Sequence, residues 1–173
     1  MNEQTTVTLT VNGVAQTRDV PADLSLLDFL QEELDLTGSK LCCGIGVCRA
    51  CTVAQQRLPG AHLEPVLACV TPVTTVQGRL ITTIEGLNAP QGPTPLQQAF
   101  LDAFAFQCGY CTPGFVVATF ILAERLRAAP VPRNQLDAAI RGAVGDHICR
   151  CTGYVRYYTA IRNYLTQIPG RVL

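Results

Sequence analysis

Eight of this chain's nine cysteines fall into two sets of four, and no other feature constrains the fold as much. Cys43, Cys48 and Cys51 stand as C-x₄-C-x₂-C with Cys69 further on, while Cys108 and Cys111 form a C-x₂-C pair and Cys149 and Cys151 a C-x-C pair. The first spacing is the plant-type pattern of an iron–sulfur protein, and four thiolates are what a [2Fe–2S] cluster takes. The chain must therefore bring residues far apart in sequence together at two points. Two one-electron centres in one chain point to electron transfer.

Two other readings of the cysteines compete with this one. A disulfide framework suits an oxidising compartment, but the odd count, the close C-x₂-C and C-x-C pairs and the absence of a visible secretory signal at the N-terminus oppose it. Structural zinc also binds four thiolates and favours C-x₂-C knuckles; the x₄ gap and the C-x-C pair are less usual there. Composition narrows the field further. Lys plus Arg equals Asp plus Glu at 13 each, so no basic field draws nucleic acid or an anionic membrane. The longest apolar run, residues 115–123, is broken by Thr119 and stopped by Glu124, well short of the about 20 residues that span a bilayer.

The chain changes character near Ile84. Alternation over residues 6–11, Asn12-Gly13 and residues 14–20 predict a β-hairpin. Ser25, with Asp28 three residues on, predicts a helix whose apolar face carries Leu26, Leu27, Phe29, Leu30 and Leu34. Further strands are expected at residues 52–55 and 73–83, the second broken at Gln77-Gly78. The prolines and glycine of residues 88–95 predict a linker. Four helices follow: one over residues 97–106 with Phe100, Leu101, Phe104 and Ala105 on one side, one capped by Thr112 and running to Arg127, one from Asn134 through Val144, and one from Thr152 with Ile161 and Leu165 inward. The fold class is thus α+β: a sheet domain over residues 1–84, a linker over 85–95 and an antiparallel bundle over 96–173.

On this map Cys43, Cys48 and Cys51 lie in an aperiodic loop, where Gly44 and Gly46 allow amide groups to approach sulfur. Cys108, Cys111, Cys149 and Cys151 lie at helix ends, where positive helix N-termini favour a more negative, reduced cluster. His62 and His147 read as surface or structural residues. Tyr154, Tyr157, Tyr158 and Tyr164 read as packing or contact residues.

The segments Gly44-Ile45-Gly46-Val47-Cys48-Arg49-Ala50-Cys51-Thr52-Val53, Thr83-Ile84-Glu85-Gly86-Leu87, Gln107-Cys108-Gly109-Tyr110-Cys111-Thr112-Pro113-Gly114 and Cys149-Arg150-Cys151-Thr152-Gly153-Tyr154 closely resemble the small iron–sulfur subunit of xanthine oxidase-family molybdenum hydroxylases. The resemblance runs from about Val7 to Ile161. It implies a β-grasp plant-type ferredoxin domain followed by a four-helix bundle, each with one [2Fe–2S] cluster. It also implies a large partner subunit holding a molybdenum-pterin cofactor that oxidises an aldehyde or N-heterocycle, and a downstream acceptor, flavin or cytochrome c.

By the same resemblance Cys108, Cys111, Cys149 and Cys151 hold the cluster nearer molybdenum, and Cys43, Cys48, Cys51 and Cys69 hold the outer one. Gln107 contacts the partner's molybdopterin, and Cys151 lies near the pterin. The chain would have no substrate site of its own. A free-standing two-cluster carrier is the alternative function. The expected location is cytoplasmic, or periplasmic or membrane-associated if a partner carries the chain there. Two positions depart from the family pattern. Cys42 replaces a common Gly and is expected to be a free thiol packed as a small apolar group. Arg49, also at a common Gly position, is expected to be solvated or to meet an acceptor.

Overall fold

A computed structural model describes residues 4–173; the first residues of the segment read for a secretory signal lie outside them. The predicted hairpin is β1 (Gln4–Val11) and β2 (Val14–Pro21), turned at Asn12 and Gly13, both at positive φ. Val7, Leu9 and Val11 point inward on alternate positions. Helix α1 (Leu26–Asp28) runs on as a π-helical turn, Phe29–Glu33. Ser25 Oγ accepts from the Asp28 N–H at 3.1 Å, and Leu26, Leu27, Phe29 and Leu30 are fully buried beneath it.

Strands β3 (Thr52–Gln56), β4 (Glu64–Leu67) and β5 (Leu80–Thr82) complete a five-stranded sheet of order β2-β1-β5-β3-β4, with β1 and β5 parallel and the other pairs antiparallel. Two expectations change here. Val73–Val76 is a 3₁₀ turn, so the strand expected over 73–83 shrinks to β5. β4 has no sequence signal because Pro65 interrupts it; it lies on the sheet edge, where a missing N–H is tolerated.

The remainder is helical: α2 (Pro95–Asp102), α3 (Thr112–Ala128), α4 (Leu136–Val144) and α5 (Val155–Gln167). Each helix start differs somewhat from expectation, while α4 ends at Val144 as predicted. Pro95 begins α2 after the Thr94 cap instead of ending a linker, and α2 stops at Asp102, leaving Phe104 at φ 47° and exposed. Thr112 does not cap α3; its hydroxyl pairs with Tyr157 Oη at 2.8 Å. Asn134 sits in a 3₁₀ turn before α4. Thr152 precedes α5 by three residues, so that helix starts farther from the cysteines than expected. Ile161 and Leu165 are buried as predicted.

Helix α3 joins the two halves. One side packs with Phe100, Leu136, Ile140, Tyr157 and Ile161 in the bundle core, and the other sets Val117 and Ile121 on Ala54 of β3. A helix apolar all round belongs in an interior, and β3 is correspondingly buried on both faces. The approach is closest at Gly114, where an added Cβ would overlap the Arg49 carbonyl oxygen. Gly114→Ala is therefore expected to destabilise the iron-loaded protein by about 1–3 kcal/mol, as overpacking does. Gly142→Ala on α4, where a Cβ meets nothing within 4 Å, is expected to be neutral or to stabilise by about 0.4–1 kcal/mol. Parallel denaturant titrations test the contrast; equal effects would contradict the described contact.

Candidate functional site

The first cysteine set is built on a loop between α1 and β3 and closed from the 3₁₀ turn Ala68–Val70. Gly44 and Gly46, at φ 67° and 75°, curl the loop so that amide groups face inward. The Cys48 N–H donates to Cys43 Sγ at 3.4 Å. That N–H, with those of Ile45 and Val47 and contact with the Cys48 side chain, lowers the Cys43 thiol to about 6. Cys51 Sγ lies 3.3 Å from Cys69 Sγ. Burial pushes Cys51 up to about 12, so a thiolate there needs a cation beside it. Burial also raises Cys48.

The second set spans the bundle. Cys108 and Cys111 lie in the α2–α3 connection and Cys149 and Cys151 in the α4–α5 connection. Cys151 Sγ is 3.6 Å from Cys108 Sγ, and Cys111 faces Cys149. Burial raises Cys111 to about 11. At Cys149 burial is the largest single influence and raises the thiol, but the Thr152 hydroxyl, donating at 3.2 Å, and the amides of Cys151 and Thr152 together bring it below its ordinary value. The Cys108 side chain raises Cys151.

The eight expected cysteines thus lie in pairs, two pairs in each half: Cys43 with Cys48, Cys51 with Cys69, Cys108 with Cys151 and Cys111 with Cys149. A tetrahedral metal with metal–sulfur bonds of about 2.3 Å separates two of its thiolates by about 3.8 Å, close to the 3.3 Å between Cys51 and Cys69 and the 3.6 Å between Cys108 and Cys151. Two thiolates on each of two irons is the need of a [2Fe–2S] cluster. Among the described residues no three His, Cys, Asp or Glu side chains converge on one point as a single metal ion requires. The donor set fits the two-iron group: one thiol is prepared as an anion by amides, and the buried ones become anions beside a metal.

Gln107 is exposed, as are Cys108 and Cys151. Cys42 is exposed, not packed as an apolar group as expected, because the Gly44 and Gly46 turns direct only Cys43 inward. His62 is exposed, and His147 is buried against Phe115 with ring centroids 4.9 Å apart. Burial first, then the nearby Arg49 cation, lower His147 to about 4 and keep it neutral. Tyr157 is fully buried and stacked on Phe115 at 4.1 Å, its hydroxyl pushed up by burial.

Arg49 is not simply solvated, since its guanidinium donates to Asp146 Oδ2 at 2.7 Å across the two halves. Its φ of 61° is a conformation that disfavours bulky residues by about 1–2 kcal/mol. With Asp146 77% exposed the ion pair is worth about 0–1 kcal/mol, too little to hold that strain. The Thr52 N–H and hydroxyl, donating to the Arg49 carbonyl at 3.2 and 2.7 Å, supply the rest. Nothing local in the sequence signals this network, because Arg49 and Asp146 are 97 positions apart.

An α+β domain and a helical bundle, each gathering four thiols in pairs, define an iron–sulfur electron-transfer protein. Residues 9–74 match the family described as a 2Fe-2S iron-sulfur cluster binding domain, and residues 83–162 that described as a [2Fe-2S] binding domain. The chain is 36% identical to the nicotinate dehydrogenase small FeS subunit of Eubacterium barkeri over 91% of this chain and 92% of that one. It is also 36% identical to the aldehyde oxidoreductase iron-sulfur-binding subunit PaoA of Escherichia coli over 95% and 73%. A chain of quinoline 2-oxidoreductase from Pseudomonas putida 86 superposes with a TM-score of 0.79 at 31% identity, over 94% of this chain and 93% of that one. The chain belongs to the small [2Fe–2S] subunits of the xanthine oxidase family of molybdenum hydroxylases.

Hydrogen bonds to cluster sulfurs raise reduction potential. Thr152→Val, which removes the hydroxyl donating to Cys149 Sγ, is expected to lower the potential of one [2Fe–2S] centre by tens of millivolts, on a scale where about 59 mV is 1.4 kcal/mol for one electron. The other centre should be unmoved. An EPR-monitored redox titration reads both, and an equal shift in both centres would contradict the assignment.

Proposed function

We propose that this chain carries single electrons from the molybdenum-pterin cofactor of a large partner subunit, through two [2Fe–2S] clusters, to a flavin or cytochrome c acceptor during oxidation of an aldehyde or N-heterocycle. The observation that carries the reading is the pairing of all eight cysteines, two pairs in each half of one packed molecule. Cys43, Cys48, Cys51 and Cys69 hold the outer cluster, and Cys108, Cys111, Cys149 and Cys151 the one nearer the molybdenum cofactor. When bound, each cluster takes up and releases one electron at a time.

The protein's own residues orient and tune these sites. Amides of the Gly44–Gly46 loop favour the Cys43 thiolate, the Thr152 hydroxyl favours that of Cys149, and packing of Val53, Ala68 and Val66 keeps water from Cys51. Gln107, exposed beside Cys108 and with no side-chain hydrogen bond in the chain among the described residues, is free to meet the partner's pterin, and the exposed Cys151 lies on the same side. The relatives' names supply the substrate classes: nicotinate, quinoline and aldehydes. The modules we propose are a sheet domain over residues 1–84, a linker over 85–95 and a helical bundle over 96–173. No helix among the described residues is long and apolar enough to cross a membrane; the complex resides in the cytoplasm unless a partner carries it elsewhere.

The test is co-purification with a large molybdenum-containing chain, followed by anaerobic addition of an aldehyde or N-heterocycle. Both [2Fe–2S] EPR signals should develop, Cys42→Ser should leave both intact, and Cys43→Ser should remove one. Isolation of an iron-loaded chain without a large partner, exchanging electrons between soluble proteins, would instead favour the free-standing carrier.

A further inference from the structure

Among the described residues one tyrosine hydroxyl reaches a cysteine sulfur: Tyr157 Oη lies 3.4 Å from Cys111 Sγ. Its other neighbour is Thr112 Oγ1 at 2.8 Å. The hydroxyls of Tyr154 and Tyr110 are engaged elsewhere, the first accepting from the Cys149 N–H and the second donating to the Leu41 carbonyl. Spacing along the chain reads Tyr157 as a packing residue, and the packing is what aims its hydroxyl.

The Tyr157 ring has no freedom to turn away. It is fully buried, stacked on Phe115 of α3 with centroids 4.1 Å apart and planes 12° apart, and edge-on to Phe100 of α2 at 5.8 Å. Tyr157 stands in the first turn of α5, while Cys111, Thr112 and Phe115 stand at the start of α3. The hydroxyl is therefore fixed where these two helices meet, beside the second cysteine set. A donor held in place by the core needs no rearrangement when the charge next to it changes.

Counting protons sets the direction of both hydrogen bonds. A metal-bound thiolate has no proton to give, so between Cys111 and Tyr157 the phenol is the donor. Tyr157 has one proton for two neighbours. Hydrogen bonds to an ionised acceptor are about twice as strong as neutral ones, so that proton is directed at sulfur and the Thr112 hydroxyl donates its own to the Tyr157 oxygen. The result is a chain from Thr112 through Tyr157 to Cys111 in which each bond polarises the next.

We propose that Tyr157 sets the reduction potential of the centre held by Cys108, Cys111, Cys149 and Cys151 by donating this hydrogen bond to the Cys111 sulfur, and that Thr112 is a positioning residue acting through Tyr157. This rests on the reading of those four cysteines as a [2Fe–2S] site. On reduction the centre gains one electron, supplied by the partner's molybdenum cofactor and later passed to the other centre, and the phenol keeps its proton throughout. The added negative charge strengthens the hydrogen bond, so the reduced state is favoured and the potential rises. The centre is made a better electron acceptor by a group that the chain buries in its own core, out of reach of solvent.

The test is an EPR-monitored redox titration of the assembled complex with full iron content. Tyr157→Phe removes the hydroxyl and keeps the stacked ring. It is expected to lower the potential of one centre, so that its reduced-to-oxidised ratio at a fixed applied potential falls several-fold, a ten-fold fall being about 59 mV for one electron. The other centre should be unmoved, and the centre that moves should be the one that Thr152→Val moves. Thr112→Val should lower the same potential less, and combining it with Tyr157→Phe should lower it no further, because Thr112 acts only through the phenol. Electron–nuclear double resonance on the reduced wild type should show a D₂O-exchangeable proton coupling that Tyr157→Phe lacks.

Unchanged potentials in Tyr157→Phe with both clusters present, or equal shifts in both centres, would overturn the proposal. If that variant sheds a cluster, an unchanged potential in Thr112→Val would overturn it equally. A wild-type complex lacking two [2Fe–2S] centres defeats the reading of the site, and the proposal with it. Two centres present and indifferent to both substitutions defeat the proposal alone.

Discussion

Burial of α3 between the sheet and the other helices is the constraint on which the rest of this molecule depends. Each Val, Ile, Leu or Phe side chain taken fully out of water contributes about 1.5–3 kcal/mol, and α3 places Phe115, Val116, Val117, Ile121, Leu122 and Leu126 in that state. The Arg49–Asp146 ion pair contributes at most about 1 kcal/mol. Apolar packing therefore docks the halves, and the polar contacts refine their alignment. Because Cys111 lies at the N-terminus of this helix and Gly114 rests on the first cysteine loop, the same packing sets the relation of the two sulfur sets.

Folding and metal loading are linked by the same geometry. Cys51 and Cys111 are thiols whose ionisation burial opposes, and cationic iron beside them reverses that preference. Amides lower the Cys43 thiol to about 6, and the Thr152 hydroxyl with two amides brings the Cys149 thiol below its ordinary value. Each site thus combines a thiol lowered by hydrogen bonds with a buried thiol that becomes an anion on loading, and binding iron stabilises the segments that enclose it. Tyr157 connects the second site to the core: its ring stacks on Phe115 while its hydroxyl meets Thr112 and Cys111.

The features legible in the sequence are those with short-range causes. The hairpin follows from Asn12-Gly13 and alternation, the start of α1 from Ser25 and Asp28, and the grouping of eight cysteines from spacing. What escapes depends on partners distant in the chain. Phe104 has the spacing of an apolar helix face, yet α2 ends two residues earlier and that side chain is exposed. Thr112 and Thr152 have the chemistry of helix caps, but a buried tyrosine hydroxyl and a cysteine sulfur take their hydroxyls. Arg49 has the look of a solvated cation, and only the fold brings Asp146 beside it. The even hydrophobicity of residues 115–123, too short for a membrane, is the sign of two-sided burial.

The central claim is that two pairs of thiolates at each of two points hold two-iron clusters. Mössbauer spectroscopy on protein grown with ⁵⁷Fe and handled anaerobically tests it most directly. The account predicts that all iron occurs as [2Fe–2S], in two distinguishable environments of equal population. A single environment, a four-iron spectrum, or zinc in place of iron would contradict it.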